Sequence, residues 1–278
     1  MNLNIASDGA VLAAEVHGSG PQTLIFLHAS ICDRRMWAQQ VEALSSSYQT
    51  VCYDRRGFGD SQTISDNDYS AVGDLIRVID AVAPEQTVVL VGCSQGGRIA
   101  LDAVLMYPER IAGLVLIAPS ISGSPAPNYS DDMAPLMQQL KEATQSKNFD
   151  LQNRLQVRLF LDGALAPENR ISGDTRELVL AMNKLALSSA TRGANLDCSN
   201  AFSRLKEINV PCQVVWGNLD FPHIQTRSQY IAEQASKGSQ HVVTTTAHFP
   251  NLEQAAVVTC LISKFVSELP DAGVAFGS

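Results

Sequence analysis

The chain has 278 residues, 45% of them apolar, which is enough for one large α/β domain with an insertion and requires no second full domain. A formal net charge of -8 with no Lys/Arg run argues against nucleic acid and against an anionic membrane surface, so the expected partner is a small-molecule substrate. Met1 to Gly9 has neither the charged nor the apolar part of an export signal, and no unbroken apolar run is long enough to span a bilayer, so a cytoplasmic protein with no membrane partner is expected.

Two short strands are predicted over 3–17 around the turn Ser7-Asp8-Gly9, and Gly18-Ser19-Gly20-Pro21 breaks the chain after them. Thr23 to Leu27 is a continuous apolar run, as expected of a parallel strand buried on both faces. It runs into His28-Ala29-Ser30-Ile31-Cys32, and a helix is predicted from Arg34 toward Leu44. His28 follows its strand directly, and pinning its own loop by hydrogen bonds is the plainer reading of it than catalysis. Gln49 to Tyr53 is the next strand, leading into the glycine-rich and charged loop Asp54 to Ser61, and a helix follows over 70–82 with Val72, Leu75, Ile76 and Ile79 on one face.

Val88 to Val91 is again an apolar run, and it passes straight into Gly92-Cys93-Ser94-Gln95-Gly96-Gly97, after which Ile99, Ala103 and Val104 recur at helical spacing. A strand, a turn too tight for Cβ atoms at its glycines and a helix would hold Ser94 in a strained backbone at the carboxyl end of the sheet. The free N–H groups of the helix start lie beside it there. Ser94 is therefore placed as a nucleophile. Ile111 to Ala118 is another buried strand, and the strand-helix alternation implies right-handed parallel crossovers in a doubly wound, mostly parallel sheet.

From Pro119 to about Leu205 no strand is predicted, only a Ser/Pro-rich lead-in and three helical patterns, carried by Met133, Leu136, Met137 and Leu140, by Leu151, Leu155 and Leu159, and by Leu178, Ala181, Met182 and Leu185. This marks a helical cap over 121–205, inserted after the sixth strand of a core built from 1–120 and 206–278. The sheet resumes at Pro211 to Gly217, which leads to Asp220, and again at His241 to Thr245, which leads to His248. A last helix carries Val257, Val258, Leu261, Ile262, Phe265, Val266 and Leu269, before a tail expected to fray. Six dispersed cysteines with no C-x-x-C read as reduced and mostly buried, and no H-E-x-x-H, Walker A or G-x-G-x-x-G motif occurs, so chemistry without cofactor or metal is expected.

A serine hydroxyl needs a base to take its proton and return it to the leaving group, and histidine suits that task. Of the five histidines, only His248 lies in a loop after the last strand at the carboxyl end of the sheet. The base needs a carboxylate on its other nitrogen; Asp220 ends the preceding strand at the same edge, whereas the alternative position, Pro119 to Asn128, contains no Asp or Glu. The chain order is Ser94, Asp220, His248.

These segments resemble the capped α/β-hydrolase fold proteins of the esterase, lactonase and C–C hydrolase type. Gly92 to Gly97 resembles their nucleophile elbow, Asp54 to Ser61 their D-x-R-G-x-G-x-S loop, Trp216 to Asp220 their acid loop and Ala247 to Pro250 their histidine loop. The resemblance implies an oxyanion hole made by the backbone N–H of Gln95 and that of Ser30 or Ala29; the chain departs from the family's His-Gly pattern by carrying Ala29 after His28. Haloalkane dehalogenases and epoxide hydrolases of this fold use Asp at the position of Ser94, so those chemistries are not expected. The expectation is a serine hydrolase of a small ester, thioester or lactone. The alternatives are C–C hydrolysis of a diketone or perhydrolase chemistry with the same triad, and a hydrolase-like ligand receptor. Arg34 and Phe221 are the expected substrate contacts; the competing reading of Arg34 and Arg35 is two solvated helix residues. The oligomeric state is left open.

Overall fold

The computed structural model describes residues 1–189 and 193–270, and the tail expected to fray lies outside them from 271 onward. In chain order the strands are β1 (Asn2–Ser7), β2 (Ala10–His17), β3 (Thr23–Leu27), β4 (Gln49–Tyr53), β5 (Gln62–Thr63), β6 (Val88–Cys93), β7 (Ile111–Ile117), β8 (Cys212–Gly217) and β9 (Gly238–Val243). They form one sheet in the order β1-β2-β4-β3-β6-β7-β8-β9, with β5 beside β2. β1 and β2 make an antiparallel hairpin, β2 also meets β4 antiparallel, and every pairing from β4 across to β9 is parallel. This is the expected doubly wound α/β sheet.

The order reverses between β3 and β6, since the chain first winds from β3 back to β4 and then outward through β6, β7, β8 and β9. The loops leaving two neighbouring strands diverge at such a reversal and open a crevice at the carboxyl edge. The loop after β3 holds His28 to Cys32 and the turn after β6 holds Ser94.

The helices are α1 (Ala38–Leu44), α2 (Ala71–Val82), α3 (Gln95–Met106), α4 (Ala134–Gln145), α5 (Phe149–Val157), α6 (Asp174–Ser188), α7 (Ala201–Arg204), α8 (Pro222–Gln234), α9 (Pro250–Glu253) and α10 (Ala255–Ser267). Ser70 starts α2 by accepting a 2.7 Å bond from the Gly73 N–H, which occupies one of the donors a helix start leaves over. Side chains alternate across the central strands, so both sheet faces are buried. Ile25, Leu27 and Leu90 pack with Leu75 and Ile79 of α2 and with Ile99 and Ala103 of α3. Phe26, Val89 and Val91 pack on the other face with Trp37, Val41 of α1 and Val258, Ile262 and Phe265 of α10.

Three features differ from the sequence reading. The two-residue β5 is additional, so the helical insertion follows the seventh strand in chain order. The last strand is Gly238–Val243 rather than 241–245; it is the sheet edge and largely exposed, so the apolar pattern that marks a buried strand is missing. α8 was not expected at all, because it buries only Ile224, Ser228, Ile231 and Ala232 and most of its remaining positions are polar.

The glycines of the turn after β6 are sterically required. A Cβ on Gly96 would lie 2.2 Å from the Leu27 carbonyl oxygen, and one on Gly92 would lie 2.6 Å from the Gly96 oxygen. Both clashes are with backbone that belongs to the sheet or the helix start, so neither can relax cheaply. Gly96→Ala is expected to lower stability by about 2–4 kcal/mol, measured as the shift of the denaturant midpoint at unchanged slope. A wild-type midpoint would show that β3 and α3 can separate.

Candidate active site

β6 delivers Ser94 into a backbone that few non-glycine residues adopt, with φ 52° and ψ -113°. Its N–H donates to the Ile117 carbonyl at 2.9 Å, and its own carbonyl accepts from the N–H groups of Arg98 and Ser120, each at 3.1 Å. The backbone is thus tied to β7, to α3 and to the loop after β7, while the side chain is left at the start of α3, whose first N–H groups have no partner within the helix.

Asp220 follows β8 in a turn closed by its own N–H on the Gly217 carbonyl. Its side chain is fully buried; Oδ1 accepts the Phe221 N–H at 2.7 Å, and Oδ2 lies 2.8 Å from Nδ1 of His248. Two acceptor positions are therefore filled by defined donors, one of them an imidazole. His248 is 1% exposed and leaves the loop after β9. Its neighbour Ala247 donates its N–H to the Glu253 carboxylate, and Glu253 is paired with Arg170 at 2.5 Å. Burial pushes the Glu253 carboxyl up, and Arg170 pulls it back.

The His248 N–H reaches into the helical insertion, donating at 3.1 Å to the carbonyl of Phe160. Phe160 lies in a π-helical turn, Arg158–Gly163, that continues α5, and its ring sits 4.9 Å from the His248 ring. Gly163 ends that turn at φ 95°, where a Cβ would be 2.6 Å from the Leu219 carbonyl oxygen of the acid loop. The turn therefore touches both the loop holding Asp220 and the loop holding His248. Among the described residues the second ring nitrogen, Nε2, is buried without a hydrogen-bond partner. No hydrogen bond joins it to the Ser94 hydroxyl.

Of the other expected residues, Phe221 lies beside this pair, 4% exposed with its ring 5.5 Å from that of Phe160. Arg34 is ion-paired within the protein. Its Nε meets Glu15 at 2.8 Å, Nη2 meets Asp60 at 2.8 Å and Nη1 meets Asp54, so the guanidinium is committed to three carboxylates. Arg35 is held on Asp33, at 2.8 Å through Nε and 2.6 Å through Nη2. Both arginines are thus ion-paired within the protein.

Around the loop after β3, His28 does pin its surroundings: Nδ1 lies 2.8 Å from the Ala29 carbonyl and Nε2 accepts the Arg55 N–H at 3.0 Å. The Ala29 N–H points at the sulfur of Met36, 3.4 Å away, and Ser30 is exposed. Cys93 is fully buried, its thiol 3.9 Å from the His248 carbonyl, and burial pushes its pKa well up, so it is not a competing nucleophile. Among the described residues no group of His, Cys, Asp and Glu could hold a metal ion.

Sequence reasoning missed Phe160, Tyr129, His223 and Arg227. Tyr129 and His223 extend the aromatic wall, with ring centroids 5.6 Å apart and His223 5.4 Å from Phe221. Burial, helped by Arg227, pushes the His223 pKa down to about 4. For Phe160 a π turn shifts the helical phase by one residue, so no period marks it.

Comparison with known proteins gives the family. A curated relative, 3-oxoadipate enol-lactonase 1 of Acinetobacter baylyi, is 24% identical over 94% of this chain and 95% of its own length. The pimeloyl-[acyl-carrier protein] methyl ester esterase of Serratia marcescens is 24% identical over 90% of this chain and 96% of its own. Among solved structures, a thermophilic esterase from Thermogutta terrifontis superposes with a TM-score of 0.77 at 21% identity, covering 96% of this chain and 98% of that one. The family model described as "Alpha/beta hydrolase family" matches residues 24–259, from the first parallel strand into α10, and so includes the turn of Ser94 and the loops of Asp220 and His248: the chain belongs to the α/β hydrolase family.

Proposed function

We propose that this protein is a serine hydrolase that cleaves a small carboxylic ester or lactone through an acyl-enzyme. The observation that carries the reading is the buried pair of Asp220 and His248, with Nδ1 committed to the carboxylate and Nε2 left as an acceptor, at the edge where Ser94 sits. Asp220 fixes the tautomer with the proton on Nδ1, so Nε2 can take the Ser94 proton as Oγ attacks the carbonyl. The imidazolium so formed is stabilised by the carboxylate and then protonates the leaving alcohol; water, deprotonated by the same nitrogen, releases the acid. The hydrogen bond between Ser94 and His248 closes when the substrate is bound, as such bonds commonly do.

The tetrahedral oxyanion is received by the N–H of Gln95 at the start of α3 and by that of Ser30. Ser30 is preferred over Ala29 because the Ala29 N–H is already directed at Met36. The helical segment 121–205 acts as a cap on the core formed by 1–120 and 206–278, and Phe160 and Phe221 give the substrate an apolar wall. The relatives named as an enol-lactonase and a methyl ester esterase support this class of bond.

The test is hydrolysis of p-nitrophenyl butyrate together with labelling by a fluorophosphonate. Turnover with the label on Ser94 is expected; absence of both would overturn the reading.

A further inference from the structure

α8 begins two residues after Asp220, and His223 and Arg227, four residues apart, lie on one side of its first two turns. Tyr129, from the loop between β7 and α4, packs against that side. The rings of Tyr129, His223, Phe221 and Phe160 then run in unbroken contact to the ring of His248, with centroid separations of 5.6, 5.4, 5.5 and 4.9 Å. Arg227 stands at the outer end of this wall, where Nη2 donates to the carbonyl of Pro125.

Arg34, Arg56, Arg170 and Arg176 each rest on a carboxylate, and Arg158 spends both of its Nη atoms on carbonyls, whereas among the described residues Arg227 has no carboxylate and a single carbonyl partner. Burial lowers its pKa, so part of its hydration has been given up without a counter-charge. Such a cation is costly in a folded protein unless an anion visits it. Its two ionisable neighbours do not supply one: burial raises the Tyr129 phenol, which stays protonated, and His223 with its low pKa stays neutral. A planar guanidinium flanked by a phenol and an imidazole suits a carboxylate, which accepts from all three.

We propose that Arg227, with Tyr129 and His223, forms a subsite for a carboxylate carried by the substrate at the end remote from the bond that is cleaved. The preferred substrates are then half-esters of dicarboxylic acids, or lactones with an acidic side chain. This rests on the hydrolase reading above, and it assigns to Arg227 the role that the sequence suggested for Arg34.

The experiment compares kcat/KM for mono-p-nitrophenyl glutarate with that for p-nitrophenyl valerate, which has a similar chain and the same leaving group but no charge. The wild-type protein is expected to prefer the acidic ester by about tenfold or more, and Arg227→Ala to remove about tenfold of that ratio through KM on the acidic ester, with Arg227→Lys keeping part of it. A ratio is insensitive to a general loss of folded protein. No wild-type preference, or an unchanged ratio in Arg227→Ala, overturns the subsite. A second readout needs no turnover: added glutarate should shift the His223 ring resonance in wild-type protein and not in Arg227→Ala. If neither ester is hydrolysed but that shift is seen, the hydrolase reading fails and the subsite stands; if the shift is absent, the subsite fails.

Discussion

Ser94→Ala is expected to lower kcat on p-nitrophenyl butyrate by about 10⁴- to 10⁶-fold and to abolish fluorophosphonate labelling, with KM little changed. The large effect follows from what the serine does in the proposed cycle: without Oγ no acyl-enzyme forms, and only direct attack by water assisted by the remaining groups is left. Stability should hold, because the strain at Ser94 resides in the backbone, at φ 52°, and the bonds that maintain it come from the Ser94 N–H and carbonyl, which alanine keeps. Kinetics on the variant, with its unfolding curve measured alongside, separates the two. Residual activity within tenfold of wild type would place the nucleophile elsewhere.

Asp220→Asn is expected to cost about 10⁴-fold in kcat. The amide is nearly isosteric with the carboxylate, and its oxygen can still accept the Phe221 N–H that now reaches Oδ1 at 2.7 Å. Its NH₂ then faces Nδ1 of His248, which must become an acceptor, and the ring proton moves to Nε2. The imidazole is then a donor toward Ser94 and cannot serve as its base. Raising the pH should not restore the rate, since the tautomer and not the charge is wrong. A loss of less than about tenfold would show that Asp220 only closes its turn.

Ser94 was legible because everything that positions it is local: the apolar run of β6, three glycines and the period of α3 lie within a single stretch of chain. Asp220 and His248 were legible more indirectly, from the rule that loops at the carboxyl ends of parallel strands meet, and they stand 2.8 Å apart although 28 residues separate them. The ion pairs of Arg34 were not legible because its three acids, Glu15, Asp54 and Asp60, come from three separate segments and no local pattern joins them. Arg227 was invisible for the converse reason: a missing partner leaves no trace in a sequence. α8 escaped because its polar surface outnumbers the four residues it buries.

The bond from the His248 N–H to the Phe160 carbonyl has a consequence for how such enzymes diversify. If the insertion were an independent module, exchanging it between relatives would retune substrate choice and leave the chemistry alone. Here a foreign insertion lacking the π turn would also release the backbone that aims the imidazole, so chimeras made at the ends of this segment should lose turnover number as well as selectivity. Grafts that retain Arg158 to Gly163 and change only the helices around it offer the conservative route to new specificity.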